Sequence, residues 1–389
     1  MTTEAGGPRH PAGGAGGPRD PRWAGSHPVL VAALRDEIMA SPGHRISFAR
    51  FMERVLTDPE LGYYATSELR PTRGGDFLTA PELHPFFGRC MGRFLVGAWR
   101  LAGSPRPYLV REHGAGRGTL RDTTLAGLAA DGSELAGIVD WQRVDLPHRS
   151  DDSGEPADLV LANEYLDALP VHRLVQAGGL REAYVTWQDG WFGETLAEPS
   201  STDLAARLAA DGIGLREGQR AEVCLAAPRW MAEVAATLAP RGMILVIDYG
   251  HEATELYGPL RMAGSLLTYR AHEVADDPFE AVGNTDITAH VDISALQRTA
   301  RTSGLRALGS TTQARFLASL GLGDLLSALG RHPATEPHGY LEARSAVSRF
   351  LDPRHLGGFR VLLWGRRRPG GVEPALPGFD PAPRAQAEA

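Results

Sequence analysis

A glycine-rich turn between a predicted strand and a predicted helix is the feature that most constrains how this chain can fold. The apolar residues 108–110 lead into residues 111–120, which read Arg-Glu-His-Gly-Ala-Gly-Arg-Gly-Thr-Leu, and a helical pattern begins near Arg121. Glycine lets the backbone bend sharply and approach a ligand where a Cβ atom would collide. A strand, a glycine turn and a helix in this order are typical of ligand sites in α/β proteins.

The spacing of the glycines narrows the class of ligand. Gly114, Gly116 and Gly118 alternate with other residues, and Glu112 stands two positions before the first of them. A dinucleotide site usually reads G-x-G-x-x-G and needs no acid directly upstream. We expect Glu112 to accept hydrogen bonds from a cationic or hydroxylated part of the ligand. The alternative is that the turn is only punctuation between two elements, because glycine is common in this chain.

The alternation of apolar runs and helical patterns predicts an α/β fold. We expect a Rossmann-like, mostly parallel sheet with helices on both faces, together with a helical N-terminal region and an inserted β-meander. The runs 158–162 and 243–247 have the composition of buried strands, and each ends in polar residues. Ligands bind at the carboxyl ends of such strands. The polar residues 112–118, 163–167 and 248–249 are therefore expected to share one site.

The same patterns predict how the chain is divided. Low-complexity composition at the start and proline-rich composition at the end predict disorder there. We expect the following segments: a disordered start at 1–23, a helical region with a ligand-covering loop at 24–105, a ligand-binding core at 106–250 with the meander at 171–220, a substrate-side segment that completes the sheet at 251–368, and a disordered tail at 369–389.

Composition excludes several classes of function. The net charge is −7, which argues against a general nucleic-acid binder. All 40 basic residues are arginine, so chemistry that needs a lysine is excluded. Cys90 and Cys224 are far apart and suggest neither a disulfide framework nor a metal site. No run approaches the ~18 apolar residues of a membrane helix, so we expect no membrane insertion and a cytoplasmic location.

Several blocks of the chain resemble the MidA family of class I S-adenosylmethionine (SAM) methyltransferases. The blocks occur in the family's order, at residues 62–64, 75–82, 112–120, 163–171, 247–250 and 286–292. The resemblance implies a SAM-binding Rossmann-like fold. Mitochondrial members assist complex I assembly and are associated with arginine methylation on a partner protein. The resemblance therefore implies protein arginine methylation as the activity, SAM as the cofactor and a protein as the substrate.

The resemblance also suggests which residues hold the cofactor. Glu112 and the glycines at 114, 116 and 118 would contact SAM directly. An acid at the end of the second strand normally binds the ribose hydroxyls, by the logic of the dinucleotide folds. Asp140 is the first candidate for that acid and Asp145 the second. A lid over SAM would be formed by Asp76, Phe77 and Thr79, although Phe77 could equally be a core residue.

Carboxylates on the loop after the second buried strand suit a guanidinium acceptor. Glu164 and Asp167 could hold its planar fork and take up the proton lost on transfer, and Asn163 could add an amide oxygen. The alternative for both acids is helix capping. His113 is expected to be structural, and Asp248 to line the pocket. His290 and Asp292 could pair with each other or could cap the helix that follows, and capping is the favoured interpretation.

One departure from the family pattern bears on function. The segment between Gly114 and Leu159 is too short for three strand–helix units of ~30 residues each. It motivates a second hypothesis, a non-catalytic assembly or scaffold protein with a degenerate fold. A nucleotide-dependent oxidoreductase is a third hypothesis, which the glycine spacing disfavours. The sequence leaves the protein substrate unnamed, and a homodimer is one assembly that it allows.

Overall fold

The computed structural model describes residues 23–66, 79–145, 150–270, 273–275, 277–332, 336–366 and 376–379. The expected lid residues Asp76 and Phe77 lie outside these ranges. The helices are α1 Pro28–Ala40, α2 Phe48–Thr57, α3 Tyr63–Thr66, α4 Ala80–Leu83, α5 Phe86–Ala102, α6 Thr119–Ala130, α7 Thr202–Ala209, α8 Ala226–Ala236, α9 Ala253–Leu256, α10 Ile293–Thr302, α11 Gln313–Ser319, α12 Leu322–Arg331 and α13 Pro337–Leu351.

The strands lie in a main sheet and several smaller sheets. They are β1 Arg45–Ser47, β2 Tyr108–His113, β3 Val139–Val144, β4 Ala157–Asn163, β5 His172–Gln176, β6 Leu180–Gln188, β7 Trp191–Ala197, β8 Arg220–Val223, β9 Leu238–Asp248, β10 Gly250–His251, β11 Leu266–Arg270, β12 Glu273–Ala275, β13 Asp286–Ala289, β14 Val291–Asp292, β15 Leu305–Thr312 and β16 Arg360–Arg366.

The main sheet has the order β15-β16-β9-β4-β2-β3. β3, β2, β4 and β9 pair in parallel, whereas β16 runs antiparallel to both of its neighbours. Side chains alternate across the sheet, so Leu159 and Leu161 pack with α5 and α13 on one face. Val160 and Ala162 pack with α8 and α10 on the other. The predicted α/β class with helices on both faces is confirmed.

A second, antiparallel sheet packs against the N-terminal helices. Its order is β1-β6-β5-β8, and β7 pairs with the other side of β6. Ser47 caps α2, because its hydroxyl accepts from the Arg50 N–H at 3.1 Å. The apolar face of α2 then packs against this sheet, with the rings of Phe51 and Phe192 5.3 Å apart. β5, β6 and β7 lie within the meander expected at 171–220, and β6 and β7 share a core with the N-terminal helices.

The segment between β3 and β4 is shortened, as the spacing predicts. Both strands pair with β2, and residues 150–156 reach β4 without forming a helix. β3 is consequently the edge strand of the main sheet. Among the described residues, no helix has the length and apolar character needed to cross a membrane.

Disorder was predicted too widely at both ends of the chain. Trp23 packs against Trp191 with ring centroids 5.4 Å apart. In the tail, Leu376 and Phe379 are buried, and the Phe379 ring contacts Phe94 and Phe316. The prediction of disorder is therefore wrong for residues 23 and 376–379. Composition averaged over a segment hides single apolar residues that have a place in the core.

Close packing of α5 on α6 gives a test of the fold. A Cβ atom at Gly127 would lie 2.7 Å from the Cα atom of Arg89, which is backbone and cannot move aside cheaply. We expect Gly127→Ala to lower the free energy of unfolding by about 1–3 kcal/mol through overpacking. In α12, Gly323 has nothing within 4 Å of such a Cβ, so Gly323→Ala should be neutral or stabilising. Urea denaturation checks both; equal midpoints would contradict the prediction.

Candidate functional site

The carboxyl ends of the parallel strands β2, β3, β4 and β9 lie side by side at one end of the main sheet. His113 at the end of β2 pairs with Val144 of β3 and with Ala162 of β4. Asn163 at the end of β4 pairs with Ile247 of β9. The polar residues that follow these strands therefore lie side by side. The sequence predicted this meeting of loops, and it is the arrangement in which open α/β sheets bind ligands.

The glycine turn depends on backbone conformations that other residues rarely adopt. Gly114, Gly116 and Gly118 have φ angles of 69°, 51° and 77°. A Cβ atom at Gly114 would also lie 2.7 Å from Cδ2 of Tyr165. Gly118 ends the turn as the N-cap of α6. The turn thus presents bare backbone beside a helix N-terminus, which suits close approach of a ligand.

Glu112 is a buried acid beneath this turn. It is 3% exposed, and the indole N–H of Trp141 donates to its Oε2 at 2.8 Å. Burial raises the pKa of Glu112 to about 8, although the Trp141 hydrogen bond opposes the shift. A cationic or hydroxylated ligand would favour its charged form. The predicted contact between Glu112 and a cofactor is compatible with this position.

Asp145, and not Asp140, lies next to the glycine turn. Asp140 is the second residue of β3 and pairs with Leu109, near the start of β2. Its carboxylate accepts from the side-chain amide of Gln142. Asp145 follows the end of β3, and its Oδ2 accepts from the Gly116 N–H at 2.7 Å. The structure therefore favours Asp145, the second candidate, over Asp140, because Asp140 stands near the start of β3 and the ligand side lies at the carboxyl ends of the strands.

The turn after β4 carries the expected acceptor-side residues. Glu164 has a φ of 51°, and its Oε1 accepts from the Ala80 N–H at 3.0 Å and from Nδ2 of Asn163 at 3.2 Å. Among the described residues, Oδ1 of Asn163 and Oε2 of Glu164 are buried without a hydrogen-bond partner. Burial raises the pKa of Glu164 to about 8. Unpartnered buried oxygens indicate a place for a donor.

Helix capping does not explain the two acids of this turn. Residues 164–170 form turns and bends rather than a helix, so neither Glu164 nor Asp167 stands at a helix start. Asp167 is 6% exposed. Burial, and then the neighbouring Asp248, raise the pKa of Asp167 well above its usual range. The turn therefore holds two carboxyl groups in an environment that disfavours their charged forms.

Asp248 anchors the turn rather than simply lining the pocket. Its Oδ2 accepts from the backbone N–H groups of Tyr165 at 3.2 Å, Leu166 at 2.9 Å and Asp167 at 3.4 Å. Its Oδ1 accepts from the Tyr249 N–H at 2.9 Å. Burial nevertheless raises the pKa of Asp248 to about 7. The carboxylate fixes the loop after β4 onto the end of β9.

The histidines near the site have structural surroundings. The Trp230 indole N–H donates to Nδ1 of His113 at 3.1 Å, and burial lowers the pKa of His113 to about 4. The N-cap residue of α10 is Asp292 and not His290, whose ring stacks on His251 with centroids 5.2 Å apart. Asp292 does cap α10, because its Oδ1 accepts from the Ala295 N–H at 2.9 Å.

Thr79, which was expected in a lid over SAM, and Asp286, which was not predicted, stand on segments that contact the loop after β4. A second unpredicted residue, Tyr64, contacts Asp286. Thr79 is the N-cap residue of α4, and its side chain makes no capping hydrogen bond. The Tyr64 hydroxyl donates to Oδ1 of Asp286 at 2.8 Å, and Asp286 is 8% exposed. Tyr64 and Asp286 both stand in the family-like blocks of the sequence. Their contact joins distant parts of the chain, and no local pattern could have paired them.

The contrast between the two aspartates of the β3 segment predicts which one the cofactor needs. Asp145→Asn should weaken SAM binding about tenfold or more, because it removes a charge beside the glycine turn. Asp140→Asn should leave the SAM dissociation constant unchanged. Isothermal titration calorimetry with both variants checks this, and a larger loss with Asp140→Asn would contradict it.

Comparison with known proteins agrees with this geometry. A family model for S-adenosyl-L-methionine-dependent methyltransferases matches residues 128–311. The chain is 28% identical to the mitochondrial protein arginine methyltransferase NDUFAF7 homolog of Drosophila melanogaster, over 85% of this chain and 83% of that protein. It is 28% identical to mitochondrial protein arginine methyltransferase NDUFAF7 of Mus musculus, over 84% and 83%.

Solved structures give the most direct comparison. A COG1565 superfamily member from Burkholderia thailandensis, bound to S-adenosyl-homocysteine, is 34% identical and superimposes with a TM-score of 0.78, covering 93% of this chain and 96% of that one. The ligand of that protein is the demethylated form of SAM. The chain belongs to the MidA family of class I SAM-dependent methyltransferases.

Proposed function

We propose that this methyltransferase modifies a guanidinium nitrogen of an arginine in a partner protein. The observation that carries the proposal is the pair of carboxyl groups of Glu164, whose Oε2 atom is buried, and Asp167, which is 6% exposed. Both lie on the loop at the carboxyl end of β4. The insect and mouse relatives are named protein arginine methyltransferases, which supports the same acceptor.

The chemistry of the turn matches a guanidinium. Carboxylates accept hydrogen bonds only, whereas a guanidinium has five N–H donors in a plane and no acceptor. Oε2 of Glu164 and Oδ1 of Asn163 have no partner among the described residues and could accept from such a fork. A buried carboxylate is costly unless a cation and hydrogen bonds satisfy it. An arginine side chain would supply both.

The cofactor side and the acceptor side have separate residues. Glu112, Asp145 and the backbone of the glycine turn would hold SAM, which supplies an electrophilic methyl group on its sulfonium. Tyr165 packs over Gly114 and thereby joins this turn to the loop that carries Glu164. The two sides are therefore fixed relative to one another, and fixed positioning is the main contribution of an enzyme to an in-line transfer.

The carboxylates would also manage a proton. A guanidinium nitrogen gains a bond to carbon and loses one hydrogen, so a base must take up one proton. Burial raises the pKa of Glu164 to about 8 and raises that of Asp167 as well. A carboxylate with a raised pKa is a stronger base than an ordinary one, so in its ionised form it can accept that proton. Glu164 and Asp167 are thus proposed to bind the acceptor and to receive its proton.

Two further proposals concern the cell and the assembly. A cytoplasmic location is supported by Cys90 and Cys224, which are both free thiols.

A homodimer would have apolar surface to bury at Leu341 and Leu351, which are exposed on α13. Size-exclusion chromatography with light scattering distinguishes a monomer from a dimer.

Complementation of deletion cells tests the proposed function. Wild-type protein should restore one or more arginine-methylated peptides that the deletion strain lacks, as seen by mass spectrometry. Glu164→Gln should restore none, because loss of a proton acceptor typically costs about a hundredfold or more in rate. Glu134→Gln is the matched control, since its side chain is exposed and pairs with Arg106.

The same experiment can contradict the proposal. It fails if no arginine methylation depends on the wild-type gene, or if Glu164→Gln restores the methylated peptides fully. Calorimetric titration of purified Glu164→Gln with SAM serves as the check on folding, because the cofactor side should be intact in this variant.

The raised pKa of Glu164 predicts a pH dependence with a definite sign. Below pH about 8 its carboxyl group is protonated, and a neutral carboxyl can neither pair with a guanidinium nor accept its proton. With SAM saturating, kcat/KM for an arginine peptide should therefore rise with pH and level off above about 8. Stopped assays across this range measure the profile. A flat profile, or one that falls as pH rises toward 8, would contradict the assignment.

A further inference from the structure

A third carboxylate, that of Asp286, lies on the acceptor side of the site. Asp286 is the first residue of β13 and is 8% exposed. The Tyr64 hydroxyl donates to its Oδ1 at 2.8 Å. At the other end of β13, the Ala289 N–H donates to the carbonyl of Asp167 at 2.9 Å. These contacts attach β13 directly to the turn that carries Asp167.

Tyrosine side chains lie close to Asp286 and Asp167. Tyr269 of β11 is the cross-strand partner of Asp286, and Tyr64 reaches it from α3. Burial raises the pKa of Tyr64 and of Tyr269, and the charges of Asp167 and Asp286 raise both further. Burial and Asp167 do the same to Tyr249. Aromatic rings beside carboxylates form a setting that favours a flat cation.

A separate observation points to a donor-rich ligand at this place. Asn163 is 8% exposed, and its Oδ1 has no hydrogen-bond partner among the described residues. Its amide nitrogen donates to Oε1 of Glu164 at 3.2 Å, and its oxygen can accept from a donor that enters the site. A buried acceptor that forms no hydrogen bond destabilises the folded protein. The ligand that enters must therefore bring N–H or O–H groups.

We propose that Asp286, held by Tyr64, is a third acceptor-binding carboxylate that selects a guanidinium over an ammonium. The inference rests on the proposed arginine methylation. Glu164 and Asp167 come from the loop after β4, whereas Asp286 comes from β13, so the three approach the acceptor from two elements. A guanidinium spreads five donors over three nitrogens, but a lysine carries its three donors on one nitrogen. The fork is wider and has more donors, so carboxylates that approach from separate elements favour it over an ammonium.

Steady-state kinetics of Asp286→Asn test the proposal. The probes are two degenerate acetylated nonapeptide pools, one with arginine and one with lysine fixed at the centre. For the arginine pool we expect the apparent KM to rise about tenfold or more, because a charge-assisted hydrogen bond is lost. The dissociation constant for SAM, measured by calorimetry, should stay unchanged. The ratio of kcat/KM for arginine over lysine should fall.

A double-mutant cycle tests the role of Tyr64. Tyr64→Phe should raise the apparent KM by a smaller factor, because Asp286 remains but is no longer held. The variant with both changes should be no worse than Asp286→Asn alone, since Tyr64 acts through that carboxylate. Glu280→Gln is the control, because Glu280 is an exposed acid on the segment just before β13.

The outcomes separate this inference from the proposed function. If wild type methylates the arginine pool and Asp286→Asn leaves both KM and the arginine-to-lysine ratio unchanged, the role of Asp286 is wrong and the proposed function stands. A proportional loss of SAM binding in Asp286→Asn would also overturn it, as a general disturbance of the fold. If wild type methylates neither pool, the proposed function fails, and the inference fails with it.

Discussion

The geometry of the site depends on one buried carboxylate, which holds the loop after β4 in place. Asp248 gathers the N–H groups of residues 165–167 and 249 and so fastens the loop after β4 to the end of β9. Backbone N–H groups are the partners that can hold a buried carboxylate without a counter-ion. The directions of Glu164 and Asp167 follow from this anchor, because both lie on the loop that it holds.

The electrostatic balance of the site favours a cationic acceptor. Glu164, Asp167 and Asp248 are all raised in pKa, with burial as the first cause for each. Holding such groups close together is unfavourable for the folded protein and is retained where function needs it. A guanidinium placed among them would lower the pKa of each acid again, because a nearby positive charge favours the carboxylate form. The resulting carboxylates would in turn bind the guanidinium more tightly. Substrate binding and the charge state of the acids are therefore linked.

The sequence predicted elements and loops well, and side-chain partners poorly. Apolar runs such as 158–162 and 243–247 predicted buried strands, and the polar residues after them predicted the position of the site. The choice between Asp140 and Asp145 depends on the register of β3 against β2, which the hydrophobic periodicity of the sequence does not reveal. The Tyr64–Asp286 contact needed the tertiary fold, since the two residues are 222 positions apart. Packing of Phe379 likewise depends on a distant pocket, which no local composition reveals.

The shortened segment after the glycine turn removes no strand that borders the turn, because β2 still pairs with β3 and β4. β3 is the edge of the main sheet, so a further strand–helix unit would lie outside it. Strands in a sheet are about 4.8 Å apart, which would place such a strand about 10 Å from β2 and its glycine turn. The groups assigned to SAM come from the ends of β2 and β3 themselves, and Asp145 reaches Gly116 directly. The missing unit would therefore widen the sheet without adding a contact at the turn, and this explains why a methyltransferase can dispense with it.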